Sequence, residues 1–460
     1  MRQSRILKYS NLNLKHQNFV KPTLETFAVF KNIFKWSAVF SLAGLLGTLA
    51  TFEGVNQFVE YKRLEGAALY NHPPPNDTDE WSLENDDWSG GLNGGTHPSI
   101  PYKPAHLVRS AWIALEWGVG TATNITSLNP SLDMAQSYLL SAITHIQAAP
   151  ATIHKDYILN TLSLRLADIR SRIHTRVSLH NALDGYEKVV SFLVASGAPP
   201  TALIKVENSA GNVCRALGLH KESESWYHTA LRRLPHHDTP QSHSSRWPSW
   251  LTLTRNTTHT HPRLDVNIAS LSPAQLRAYI ETLLSLSKLY STTSRLTEAS
   301  SIQKTLIDVL HRSTDPHNTP HCLQALWLRH SLALSQVHYA EVRYALNKSN
   351  LEESLGWLQN AEHLSQTTHK AVDGSFASDT YAKRQALKLT ASSNKTASEC
   401  AYLMGVLHQS VNDNQRALGC FERAIKSALH LDSLTKQHLE SLPNDPANLK
   451  YIDAYKNIGN

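Results

Sequence analysis

The sequence is poor in the features that mark catalysis. It contains no G-x-S-x-G elbow, no H-E-x-x-H, no G-K-[ST] and no G-x-G-x-x-G turn. The short patterns that activate a nucleophile, a metal-bound water or a nucleotide phosphate are therefore missing. Cysteine is scarce: Cys214, Cys322, Cys400 and Cys420 stand far apart, and none falls in a C-x-x-C pair. That spacing fits neither a zinc ribbon nor a dense disulfide framework. Charged residues are only 18% of the chain, and beside 41% apolar residues that low share excludes wholesale disorder. An enzyme is not expected, nor is a cofactor or a metal. His236, His237, His243, His259 and His261 crowd one Pro/Ser/Thr-rich stretch. In a chain with 25 histidines throughout, that stretch reads as a solvated loop.

Excess basic charge is missing from most of the chain as well. The formal net charge is +6, and residues 1–35 alone hold Arg2, Arg5, Lys8, Lys15, Lys21, Lys31 and Lys35 against one acid, Glu25. Residues 36–460 therefore carry as many acids as bases. The pI near 9.0 describes an N-terminal segment. A nucleic-acid partner is not expected, because such a face needs basic charge on the folded domain itself.

Long apolar runs are rare, with one exception. Residues 36–52 read WSAVFSLAGLLGTLATF, seventeen residues without a charge. As a helix this run spans about 26 Å, the short end of a membrane crossing. The excess of positive charge before it orients the N-terminus toward the compartment of synthesis or the matrix, with the C-terminal part across the membrane. Residues 1–35 are basic, acid-poor and contain Ser and Thr, as mitochondrial targeting segments do.

Residues 53–105 are expected to form an extended linker, rich in Pro, Gly and Asp around HPPPNDTDEWSLENDDWSGGLNGGTHP. The four glycines after Trp88 suggest turns with positive φ. Trp81, Trp88 and Trp112 are candidate docking anchors, since buried tryptophan often dominates an interface.

From His106 onward strand alternation almost vanishes and helical periodicity takes over. Near the C-terminus Gly405 precedes Phe421 by sixteen residues, with Ala417 and Ala424 flanking the ring; Gly211 precedes Tyr227 by the same interval, between Ser223 and Ala230. Small residues on a first helix permit close approach, and the aromatic on a second fills the space between neighbours. This resembles the tetratricopeptide repeat. The second-helix half recurs as Ala135–Leu139–Ala142, Ala182–Tyr186–Val189, Glu298–Ile302–Thr305 and Ser354–Leu358–Ala361. The expectation is an all-α chain: one transmembrane helix, then about six helix pairs over residues 106–430 with an insertion at 236–262, and a C-terminal extension at 431–460. Candidate groove residues are Asn208, Asn212 and Arg215 on one first helix and Tyr402, Val406 and Gln409 on another.

The order of parts resembles one family. A basic N-terminus, a single span and a linker lead to W-S-G-G-L-N-G-G-T-H-P, with Trp88, Gly90, Gly91, Gly94 and Gly95, and then to R-S-A-W-I-A-L-E-W-G, with Arg109, Trp112, Trp117 and Gly118. Divergent tetratricopeptide pairs follow. This is similar to the fungal tetratricopeptide adaptor subunit of the mitochondrial i-AAA protease. The resemblance implies an inner-membrane protein with its repeats in the intermembrane space. It also implies partners of two kinds, AAA-type protease subunits and misfolded clients. Two other classes stay open: a scaffold or assembly factor for an inner-membrane complex, and a lumenal endoplasmic reticulum repeat protein. In the second case the sequons at Asn76, Asn124, Asn256, Asn347 and Asn394 are available for glycosylation.

Overall fold

The computed structural model describes residues 41–42, 44–64, 78–84, 86–91, 94–118, 130–235, 268–313, 322–375, 382–429 and 446–459. The basic segment 1–35, the histidine-rich insertion and the sequon asparagines at 76, 124 and 256 lie outside these residues. The chain divides into two compact units, Met1–Tyr61 and Lys62–Asn460. In the first, residues 44–58 are α-helical. Leu42, Leu45, Leu46, Leu49 and Phe52 each keep more than half of their surface exposed, from 53% to 59%. Among the described residues no helix is long and apolar enough to cross a membrane. Residues 36–40 and 43 of the expected span lie outside the described residues.

The described part of the second unit is helical, without strands. Its helices are α1 (Tyr102–Trp117), α2 (Pro130–Ala148), α3 (Lys155–Ile173), α4 (Arg176–Ala195), α5 (Pro200–Ala216), α6 (His220–Arg232), α7 (Pro273–Thr292), α8 (Leu296–Ser313), α9 (Leu323–Leu346), α10 (Leu351–Ser375), α11 (Lys383–Ser410), α12 (Asn414–Leu429) and α13 (Pro446–Gly459). Local chemistry sets several boundaries. Thr175 caps α4 by accepting the Ser178 amide at 3.2 Å, while Ser178 Oγ accepts the Thr175 amide at 3.0 Å. Ser272 and Gln275 repeat this reciprocal arrangement at the start of α7, where Pro273 occupies the first position and its missing N–H is no loss. Only His174 and Thr175 separate α3 from α4, a connection so short that the two helices must run antiparallel.

Each helix packs on the next, and α5, α7, α9 and α11 also touch one another in succession. Helices α5, α7, α9 and α11 thus form one layer, with their partner helices packed on its other side. The small–large–small triplets read from the sequence fall on the even helices. In α2, α4, α6, α10 and α12 every triplet residue is at most 2% exposed. The triplet in α8 differs. Glu298 pairs with Arg295 at the surface and Thr305 is half-exposed; Ile302 is buried at 4%, but the fully enclosed triplet is Ala299, Gln303 and Leu306 at 0%, 1% and 0%, one residue later than expected. A glutamine at the large position hides the pattern. Sixteen residues earlier stands Ser287, where the other pairs have Gly211 or Gly405. Ser287 Oγ and Gln303 Oε1 are buried without a hydrogen-bond partner among the described residues.

The glycines at the pair contacts are fixed by space. A Cβ on Gly211 would lie 2.5 Å from Tyr227 Cε1, and one on Gly405 2.5 Å from Phe421 Cε1. Hydrogen bonds reinforce the contact, with Ser223 Oγ donating to the Gly211 carbonyl at 2.8 Å and Ser354 Oγ to the Ala340 carbonyl at 3.3 Å. At the C-terminal end α13 places Tyr451 and Ile452 against Ala401, Ala424 and Ile425. That helix covers an apolar face which the last pair would otherwise present to water.

Candidate peptide-binding site

Residues 79–91 form a strap against the layer of odd-numbered helices. The composition that suggested a free linker, acids alternating with tryptophans, is what seats it. Trp81–Glu84 makes one turn of 3-10 helix. Trp81 is 4% exposed and enters a pocket made by Leu323 and Leu326 of α9, Val372 of α10, and Ala386 and Leu389 of α11. Arg277 of α7 closes this pocket, its guanidinium carbon 3.9 Å from the centre of the Trp81 ring. The same guanidinium donates to the carbonyls of Asp79 at 2.8 Å and Glu80 at 3.1 Å, to Glu84 Oε1 at 3.2 Å and to Gln324 Oε1 at 2.6 Å. Only arginine has a fork rigid enough to hold so many acceptors at once.

Other helices read the rest of the strap. Lys205 of α5 pairs with Glu84 Oε2 at 2.8 Å and donates to the Leu83 carbonyl at 2.9 Å. Gln385 of α11 donates to the Glu84 carbonyl at 3.0 Å. Glu80 Oε2 accepts from Ser272 Oγ at 2.7 Å and the Ala274 amide at 3.1 Å, placing a carboxylate at the positive end of α7. The Cys322 thiol donates to Asp79 Oδ2 at 2.7 Å; burial and this carboxylate push that thiol's pKa up. Asp86 bridges α3 and α11, with Arg165 at 2.9 Å and Arg384 at 2.8 Å. Burial alone would raise the Asp86 pKa, but Arg165, Arg384 and Lys388 together hold it below its usual value. Arg384 also reaches Glu116 of α1 at 3.1 Å. A cavity of about 600 Å³ lies beside this bridge, between Trp88, Arg165, Arg172 and Lys388.

The strap ends in a tight turn. Asp87 Oδ1 accepts the amides of Ser89 and Gly91 at 3.0 Å each, and Tyr157 of α3 donates to its other oxygen. Gly91 has φ +62°, and a Cβ on Gly90 would lie 1.7 Å from the Gly94 carbonyl oxygen, so neither tolerates a side chain. Gly94, Gly95 and Gly118 also have positive φ. Arg109 donates to Thr96 Oγ1 at 3.3 Å, so the glycine-rich segment after Trp88 and the Arg109–Gly118 segment meet in space. Trp112 is 6% exposed and packs edge-on to Trp117, which is 47% exposed.

Several of these placements correct the expectations. Trp81, Trp88 and Trp112 are buried within the chain and, in this conformation, offer no docking anchor. Residues 78–84, 86–91 and 94–100 are folded onto the repeats, where an extended linker was expected. Among the groove candidates, Asn212 Oδ1 accepts the Tyr227 hydroxyl at 2.9 Å and so serves its own helix pair. Tyr402 is covered by α13, its ring 5.4 Å from that of Tyr451 and 5.1 Å from Lys450 Nζ. Asn208 and Arg215 are half-buried on α5, while Val406 and Gln409 are exposed on α11. Lys205, Asn208, Asn212 and Arg215 share a stripe of α5, and the strap uses the first turn of that stripe. Arg165, Lys205, Arg277 and Arg384 were missed. The signal for them was the acid-only run from Asp77 to Asp87, which in a charge-balanced domain needs bases elsewhere.

Glu281 of α7 shares the strap's surroundings. Its carboxylate reaches water yet is ringed by protein, and burial together with Glu84 raises its pKa to about 7, against the pull of Lys205, Arg277 and Lys388. A carboxyl whose folded pKa is raised favours the native state at low pH. That advantage is lost as pH rises from the ordinary carboxylate range through about 7. Glu281→Gln is therefore expected to match the parent near pH 4.5 and to melt roughly 2–4 °C higher at pH 8, a figure discounted for solvent access. Melting curves at the two pH values check this; equal differences at both would refute it.

No family model matches the chain, and no curated protein matches it. Solved structures with partial likeness include BtubC from P. vanneervenii, at 11% identity, covering 66% of this chain and 93% of that one, with a TM-score of 0.41. Another is a tetratricopeptide repeat protein from Parabacteroides merdae, at 12% identity, covering 77% of this chain and all of that one, with a TM-score of 0.30.

Proposed function

We propose that the protein is a non-enzymatic, membrane-anchored adaptor whose repeats bind segments of other proteins and bring them to the mitochondrial i-AAA protease. The observation that carries this reading is the seating of a short acidic strap, residues 79–91, on the odd-helix layer. Its main-chain carbonyls are read by Arg277, Lys205 and Gln385, and its tryptophan fills a pocket. A surface of that kind reads backbone as well as side chains, which suits an adaptor that meets many sequences. The apolar residues 36–52 supply the anchor, and the basic residues before them place the N-terminus in the matrix and the repeats in the intermembrane space. Tethering raises the effective concentration of a weak binder beside its protease without a tight interface. The specific test is affinity purification of the full chain from detergent-solubilised mitochondria. An AAA-type protease subunit is expected to co-purify; its absence, or glycans on Asn347 or Asn394, would sink the reading.

A further inference from the structure

Resting on that adaptor reading, we infer that the odd-helix face is a binding site for acidic segments carrying a tryptophan, and that residues 79–91 are a resident copy of its ligand. Every ion pair the strap makes goes to a helix base, although Glu281 and Glu116 also stand on the helix side. The strap brings Asp79, Glu80, Glu84, Asp86 and Asp87 and no base, while the helices meet it with Arg165, Lys205, Arg277 and Arg384. Recognition also has the anatomy of a bound peptide. One aromatic anchor is buried to 4%, and a carboxylate three residues on is held by two cations. Side-chain donors from three helices take up the carbonyls of Asp79, Glu80, Leu83 and Glu84. A purely packing segment needs only the apolar part of this set.

The occupant proposed is a partner segment with the pattern acid–Trp–x–x–acid, competing with the strap. An attached strap has an effective concentration in the millimolar range, so an outside segment binds weakly unless the strap is released. The face then favours partners presenting several such segments or those that first loosen the strap.

The test uses the full chain in detergent and a fluorescein-labelled peptide of residues 78–91, followed by anisotropy. The variant Trp81→Ala/Glu84→Gln, which frees the face, is expected to bind the peptide about tenfold or more tightly than the parent. Lys205→Met added to that variant should weaken binding several-fold, and a peptide with alanine at the tryptophan 81 position should bind about tenfold or more weakly. A second variant, Glu84→Gln/Asp86→Asn, keeps the Trp81 anchor and guards against misfolding of the first; it should bind a few-fold better than the parent. Equal binding by parent and both variants, or equal binding of a scrambled peptide, would overturn the proposal. So would light scattering showing that the parent is a dimer through exchanged straps, which makes a second copy the occupant. Failure here with an AAA protease still co-purifying would leave the adaptor reading standing and move its client site elsewhere.

Discussion

Arg277→Ala is expected to cost about 3 kcal/mol or more and to split the unfolding of the repeat unit into separate steps. Breaking a buried ion pair by removing one partner typically costs ~3–5 kcal/mol, because the other charge is left behind. Arg277 is 2% exposed, and its loss strips donors from the carbonyls of Asp79 and Glu80 and from Gln324 as well as from Glu84. The lower end of the range applies because Glu84 keeps Lys205 at 2.8 Å. Arg277→Lys retains a charge for Glu84 but not the fork, so about half of the loss is expected.

The change in cooperativity follows from what the strap connects. In a stacked array each pair touches only its neighbours, and stability is close to a sum of local terms. The strap adds couplings that skip neighbours: Asp86 ties α3 to α11, and Arg277 ties α7 to residues that α5 and α11 also hold. With the strap seated, unfolding one pair means breaking contacts to distant ones. Urea unfolding followed by circular dichroism should show one transition for the parent and a broadened or stepped curve for the variant. A glutamyl-specific protease should cut at Glu80 and Glu84 in the variant and spare the parent. A loss below about 1 kcal/mol with the strap still protected would refute the role given to Arg277.

What the sequence disclosed and what it hid have physical causes. The contact of Gly211 with Tyr227 and of Gly405 with Phe421 was legible because a sterically forced glycine and a ring recur at a fixed interval. The α8 register was not, because Gln303 occupies the large position and Glu298 mimics the start of the triplet one residue early. The strap was hidden for two reasons. Proline, glycine and aspartate are the composition of a loop whether it is free or docked. A count in which acids equal bases also says nothing about sorting: the balance arises partly because an acidic strap lies on basic helix faces. Of the groove residues, the stripe of α5 was legible from helical periodicity, which gives the face but not the turn that is used. Tyr402 could not be placed, since the helix that covers it begins only at Pro446, beyond the last repeat.

Phe421→Ala is expected to cost about 3–5 kcal/mol, and the smaller change Gly405→Ala on the facing helix about 1–3 kcal/mol. Phe421 is fully buried and closes the contact between α11 and α12 against Gly405 and the Tyr402 ring, whose centre is 5.6 Å away. Removing it leaves a ring-sized cavity beneath the junction on which α13 docks. The Gly405 change tests the opposing constraint. Alanine in a helix interior gains about 1 kcal/mol over glycine. That gain is outweighed here because the new methyl would lie 2.5 Å from Phe421 Cε1 and a fully enclosed ring has nowhere to move. Gly356→Ala is the internal control: no atom lies within 4 Å of its added Cβ, so that substitution is expected to stabilise by roughly 0.5–1 kcal/mol. Pairing Gly405→Ala with Phe421→Leu should recover part of the summed losses, because the smaller side chain vacates the space that the methyl needs. Urea midpoints for these variants and for Phe421→Leu alone decide it. A stabilising Gly405→Ala, or strictly additive losses in the pair, would mean that the two helices can slide apart and that the glycine does not set their approach.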